Sequence, residues 1–230
     1  MKTIGLIGGI SWESSAEYYR LINEAVKARK KGFHSAKCLM WSFDFAEIEA
    51  LQKKGEWDKA AKMMVDAAHA LERGGADCIV ICANTMHRMA GDVQAAVDIP
   101  LLHVADATAR AVLGAQIGHV GLLGTVYTME QNFLKGRLSV KHGLEVMVPD
   151  ADARKIVNDV IYKELVKGVV KKKSREAYLK IIDGLAKEGA QGVILGCTEI
   201  GMLIKPGDAS IPTFDTTTLH AAAAVEFALG

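Results

Sequence analysis

The chain carries one pattern twice. The segment "GADCIVICANT" at 75–85 lies over "GAQGVILGCTE" at 189–199, an offset of 114 positions that sets Gly75 on Gly189, Ala76 on Ala190 and Ile79-Val80-Ile81 on Val193-Ile194-Leu195. Upstream, "IGLIGGI" at 4–10 lies over "VGLLGTV" at 120–126, with Gly5 on Gly121 and Gly8 on Gly124. Downstream, "IPLLHVADATARA" at 99–111 matches "IPTFDTTTLHAAA" at 211–223, each an Ile-Pro strand running into a helix. Three matches in the same order, at offsets of 116, 114 and 112, describe an internal duplication. Such a chain folds as two similar halves.

Each half alternates short apolar runs with amphipathic stretches. "TIGLIGG", "CLMWSFD", "DCIVICA", "VGLLGT", "EVMVP" and "GVILGC" read as strands, whereas "SAEYYRLINEAVKARK" and "WDKAAKMMVDAAHALERGG" carry apolar residues at three- and four-residue spacing. This predicts an α/β protein of two pseudo-symmetric α/β domains with mostly parallel sheets. The expected division is 1–100 with 208–230 as the first domain and 101–207 as the second. A length of 230 residues, half of them hydrophobic, allows each domain its own core.

Several function classes drop out. A net charge of +1 gives no reason to expect a nucleic acid or membrane partner, and the basic run at 170–180 reads as a solvated helix face. The N-terminus lacks the features of a signal peptide, no window approaches a membrane span, and four cysteines without disulfide spacing suit a reducing compartment. The expected localisation is cytoplasmic. Seven scattered histidines and a C-x-x-x-C pair at Cys78 and Cys82 predict no metal. "GLIGG" is not a dinucleotide fingerprint, and no phosphate-binding G-x-x-x-x-G-K-[ST] is present.

The duplication also fixes which cysteine matters. Cys82 falls on Gly196, whereas Cys197 falls on Ala83. Strand side chains alternate between faces, so Cys78, Val80 and Cys82 share one and Ala83 takes the other. Cys82 is therefore expected in the packing between sheet and helix, where a free thiol acts as a small hydrophobe. Ligands of open α/β sheets gather beyond the carboxyl ends of the strands. There Asn84, Thr85, Thr125, Thr128 and Thr198 offer hydroxyl, amide and backbone N–H groups that suit a carboxylate. A thiol at such a helix end is expected to be acidified from about 8.5 toward neutrality, which would make Cys197 a general base or nucleophile. The ordinary reading of Glu199 is a cap, and of His87 a hydrogen-bonding structural residue.

The segments "GLIGGISWES" (5–14), "CANTMH" (82–87), "GTVYT" (124–128) and "GCTEIG" (196–201) resemble the aspartate/glutamate racemase family, and the resemblance covers essentially the whole chain. It implies an amino-acid racemase that uses neither pyridoxal phosphate nor any other cofactor, with its active site between two domains. Family members place two cysteines about the substrate α-carbon: one thiolate removes the proton and the other thiol returns one to the opposite face. The second of these positions maps to Cys197. The first maps to Ala83, in the register the duplication selects, and a methyl group carries no proton. Three readings follow: racemisation with Cys197 and a water or His87, one-sided proton exchange or decarboxylation with Cys197 as sole acid/base, or a catalytically impaired amino-acid-binding protein.

The resemblance further assigns Asn84, Thr85, Thr125 and Thr198 to the substrate α-carboxylate and its surroundings. It lays the loop containing Gly9 and Ile10 against the substrate, where glycine permits close approach. Gln52 and Tyr127 are the candidates for a distal carboxylate, and no Arg is placed to clamp one, which leaves a broader amino-acid range open. Trp12, Trp41 and Trp57 read as core or interface aromatics. The expected partner is a small-molecule amino acid; a homodimer is the assembly that the family often forms.

Overall fold

Two parallel four-stranded sheets with the same strand order stand where the duplication predicts two halves. The computed structural model describes all 230 residues. Unit 1 comprises Met1–His103 and His220–Gly230, and unit 2 comprises Val104–Leu219. Unit 1 contains β1 (Ile4–Gly8), α1 (Trp12–Lys30), β2 (Cys38–Ser42), α2 (Phe45–Lys54), α3 (Trp57–Arg73), β3 (Cys78–Ile81), a 3-10 turn (Thr85–Met89), α4 (Ala90–Ala96) and β4 (Leu101–Leu102). Unit 2 contains α5 (Val104–Gly114), β5 (His119–Gly124), α6 (Val126–Glu130), α7 (Asn132–His142), β6 (Glu145–Met147), α8 (Ala151–Lys163), α9 (Lys172–Lys187), β7 (Gly192–Gly196), α10 (Ile200–Leu203) and β8 (Thr213–Asp215). The last helix, α11 (Thr216–Leu229), starts in unit 2 and continues in unit 1 from His220. Sheet order is β2-β1-β3-β4 in unit 1 and β6-β5-β7-β8 in unit 2.

The division differs from the expected 208 return point. β8 bonds to β7 through the pairs Val193↔Thr213, Ile194↔Phe214 and Leu195↔Asp215, which keeps 208–219 in unit 2. Likewise β4 pairs with β3 and holds Leu101 and Leu102 in unit 1.

Parallel strands are buried on both faces, hence their unbroken apolar runs. In unit 1, Ile4, Leu6, Cys78, Val80 and Cys82 pack against Tyr18, Ile22 and Val26 of α1 and Ala221, Ala224 and Val225 of α11. Residues 18, 22 and 26 recur at i, i+4 and so form one stripe, each burial contributing about 1.5–3 kcal/mol. Ser11 starts that helix by accepting from Ser14 N at 3.4 Å, and Lys27, Arg29 and Lys30 offset the dipole at its end. The other face sets Ile7, Ile79, Ile81 and Ala83 against Ile48 of α2 and Met64 and Leu71 of α3.

In unit 2, Val120, Leu122 and Ile194 meet Val112 of α5 and Leu134 and Leu138 of α7. Leu123, Val193, Leu195 and Cys197 meet Val157 and Ile161 of α8 and Tyr178 and Ile182 of α9. The cysteine register is therefore as the duplication predicts: Cys82 lies in the α1/α11 layer, while Ala83 and Cys197 occupy corresponding faces of their sheets. No helix is long and apolar enough to cross a membrane.

Candidate active site

β5 and β7 are neighbours, with Gly124 paired to Gly196, so Thr125 and Cys197 emerge from adjacent strand ends. Thr125 caps α6: its Oγ1 accepts from Thr128 N at 3.3 Å and lies 3.2 Å from Thr128 Oγ1. The Thr128 methyl sits over both glycines. A Cβ on Gly124 would come within 2.9 Å of it, and a Cβ on Gly196 within 3.2 Å of it and 2.8 Å of the Leu123 carbonyl oxygen, so neither position has room for a side chain. From α8, Asn158 Oδ1 accepts from Val126 N at 2.9 Å. The turn bearing Thr125, Tyr127 and Thr128 is thus held by its own cap, by the glycines below and by a neighbouring helix.

Cys197 is buried and its thiol donates to Glu199 Oε2 at 2.9 Å; Thr198 Oγ1 donates to the same oxygen, also at 2.9 Å. The Glu199 side chain makes no helix-capping bond and is buried, so capping is not its role. The expectation of an acidified Cys197 is corrected here. Burial pushes the thiol well above its ordinary range, and the adjacent Glu199 carboxylate pushes it further. The helix that follows, α10, is only four residues long and has little dipole to oppose them. At rest the pair is therefore a neutral thiol beside a carboxylate.

Unit 1 presents a different turn at the corresponding place. Ala83 is followed by buried Asn84 and half-buried Thr85, where the chain enters its 3-10 turn through a bond from His87 N to Asn84 O at 3.1 Å. Gln52 reaches across from α2 to donate to Met86 Sδ at 3.2 Å. Gly9 has φ +81°, donates through its N–H to Ser15 Oγ at 2.7 Å, and is packed so closely on the Phe43 backbone that no side chain fits. The close approach that requires glycine here is to the chain's own backbone. Ile10 beside it is buried.

His87 is also buried, and its Nδ1 meets Ala83 O at 3.0 Å. A carbonyl only accepts, so Nδ1 carries the hydrogen. Burial, then His103 and His220, hold its pKa well below the ordinary value. The neighbouring rings lie at centroid distances of 4.7 and 5.5 Å. His220 Nε2 donates to Leu102 O at 2.7 Å, and its Nδ1 accepts from Tyr18 OH at 2.9 Å. His87 and His220 are neutral imidazoles; the hydrogen bonds of His220 tie β4, α1 and α11 together, and its ring packs on His87 in the 3-10 turn. His87 as a charged proton donor is set aside on this ground.

The model of the Asp/Glu/hydantoin racemase family matches residues 7–224. The chain belongs to this family. The racemase is 53% identical to a Yersinia pestis protein provisionally named an Asp/Glu racemase, whose crystal structure superposes with a TM-score of 0.95 over all of both chains. An aspartate racemase homologue from Pyrococcus horikoshii is 36% identical, with a TM-score of 0.88 over the full length of both. Among curated proteins, the broad specificity amino-acid racemase RacX of Bacillus subtilis is 26% identical over 172 residues, 73% of this chain and 72% of that one. Membership makes the racemase an isomerase and accounts for its two four-stranded parallel sheets.

The candidate residues of the racemase gather in two groups, one in each unit. Gly9, Ile10, Asn84 and Thr85 follow the ends of β1 and β3, with Gln52 supplied by α2. Thr125, Tyr127, Thr128, Cys197 and Thr198 follow the ends of β5 and β7. Asn158 is the residue that sequence reasoning passes over, since it sits mid-helix with no motif about it. The place of Glu199 after Cys-Thr was visible, but its direction was not.

Proposed function

We propose that this racemase inverts aspartate, glutamate or a broader set of amino acids without pyridoxal phosphate, using Cys197 as its one catalytic thiol. The observation that carries this reading is the Cys197–Glu199 hydrogen bond at the strand end. Glu199 accepts the thiol proton, and the resulting thiolate removes the substrate α-proton and becomes a thiol again. Ala83 has no proton to give, so a water protonates the carbanion on its other face. The hydroxide left behind takes the proton held by Glu199, which closes the cycle.

Asn84, Thr85, Thr125 and Thr198 hold the α-carboxylate, and hydrogen bonds there stabilise the charge that spreads into it as the carbanion forms. Gly9, Ile10 and Thr128 shape the site, while Gln52 and Tyr127 meet the side chain. All four cysteines are free thiols, which suits the cytoplasm.

The test is isotopic. The enzyme is incubated in deuterated water with L-aspartate, L-glutamate and a panel of neutral amino acids, and α-deuterium and D-enantiomer are measured together. Deuterium accompanied by inversion is expected. Deuterium with retention, or release of carbon dioxide without D-product, would replace this reading with the one-sided enzyme that a single thiol–carboxylate pair also suits. Tight binding without exchange would make the protein a binding module.

A further inference from the structure

Gln52 is a polar residue in an apolar row. It follows Ile48 by one turn on the inner face of α2, and the two are 6% and 0% exposed. Ile48 packs in the same core as Met64, Leu71 and Met86. A buried carboxamide brings two donors and an acceptor, and leaving them without partners costs folding free energy. Gln52 makes one hydrogen bond, from Nε2 to Met86 Sδ at 3.2 Å. The sulfur decides which way round the amide sits. A thioether has lone pairs and no hydrogen, so it can only accept, and the NH2 group is the end that meets it. Oε1 is left with no partner in the chain, and it is not sealed from solvent. What Gln52 offers outward is an acceptor.

Its surroundings do not reverse that sign. Gln52 lies in the last turn of α2, at the negative end of the helix dipole. Lys53 and Lys54 of the same turn are exposed, off the buried face, and Lys53 is paired with Glu49. On the 3-10 turn that carries Met86, Arg88 is exposed with its guanidinium over the Trp57 ring, 4.5 Å from the centroid, and His87 is neutral. A distal carboxylate has only acceptors, so against Oε1 it meets its own kind. Turning the amide over to receive it would set Oε1 on the sulfur, again two acceptors together. A side-chain amide or hydroxyl donates to Oε1 with no rearrangement.

We propose that Gln52 selects amino acids whose side chain ends in a hydrogen-bond donor, ranking asparagine and glutamine above the isosteric aspartate and glutamate. This rests on the reading above that Gln52 meets the substrate side chain, and it replaces the distal carboxylate expected there from the sequence. The test measures binding of these four amino acids to the full chain by calorimetry, which needs no turnover, with α-deuterium exchange followed on the same samples. Each amide is expected to bind roughly tenfold more tightly than its acid, the worth of one hydrogen bond. Met86→Leu keeps the volume but frees the Gln52 amide to turn, so that ratio should fall toward one. Gln52→Lys supplies a cationic donor instead and should reverse it. The proposal is overturned if either acid binds as well as its amide, if neither amide binds, or if Gln52→Lys keeps the wild-type ranking. Should Gln52→Lys unfold, Met86→Leu decides, and an unchanged ratio there is equally fatal. Absence of exchange with the binding order intact would sink the proposed proton chemistry and leave this selection standing.

Discussion

Units 1 and 2 share a strand order and part company at one turn. After β7 the chain reads Cys197-Thr198-Glu199; after β3 the aligned residues are Ala83-Asn84-Thr85. One turn has a thiol and a carboxylate in hydrogen-bond contact, whereas the other has neither. Behind Ala83 stand His87, His103, His220 and Tyr18, a polar cluster of unit 1. The duplicated scaffold therefore repeats a strand-end turn in both units while the side chains on it differ. In this chain the thiol–carboxylate pair resides in unit 2.

The sharpest challenge to that asymmetry is Cys197→Ala, which should lower α-proton exchange by about 10²–10⁴-fold, read as deuterium incorporation. Survival of exchange would move the chemistry elsewhere. Next comes the unit 1 cluster. Burial pushes His220 down to about 4 from an ordinary 6.5, and His87 shifts in the same direction. The folded state thus binds fewer protons than the unfolded one. Its stability is full above about pH 6.5 and falls as the pH drops toward 4, by about 3 kcal/mol for His220. Urea denaturation across that range should show the decline, and His220→Gln should flatten it.

Glu199→Gln should slow exchange by roughly 100-fold, near the low end for loss of an acid–base group. It should also lower the pH at which the Cys197 thiolate appears, because the carboxylate that opposes ionisation is gone. Thiolate absorbance, taken as the difference from Cys197→Ala, reads the shift; an unmoved titration would show that the pair is not coupled. The smallest effect belongs to Ala83→Cys. Restoring a thiol to the unit 1 turn should raise inversion relative to total exchange by roughly tenfold, or about 1.4 kcal/mol, measured by chiral analysis of the deuterated product.

The strands and the cysteine register were legible because a parallel strand imposes a two-residue alternation and the duplication supplies a second reading of it. That is how Cys82 could be assigned to packing from the sequence. The state of Cys197 could not be read this way. Its titration depends on burial and on which way Glu199 turns, and the same Cys-Thr-Glu string is compatible with a capping carboxylate. The histidine cluster was hidden for another reason: positions 87, 103 and 220 become neighbours only through β4 and α11. The unit boundary moved because β8, three residues long, follows its Ile-Pro step and is assigned by its bonds to β7 rather than by its composition.

The Thr128 methyl above Gly124, and the Leu123 carbonyl beside Gly196, occupy the space that a larger residue at those positions would claim. This has a practical consequence for altering substrate range by directed evolution. Randomising the glycines would mostly yield proteins that cannot close the turn, although they lie next to Cys197. Under the proposed function, diversity is better placed at Tyr127 and Gln52, the two positions assigned there to the substrate side chain.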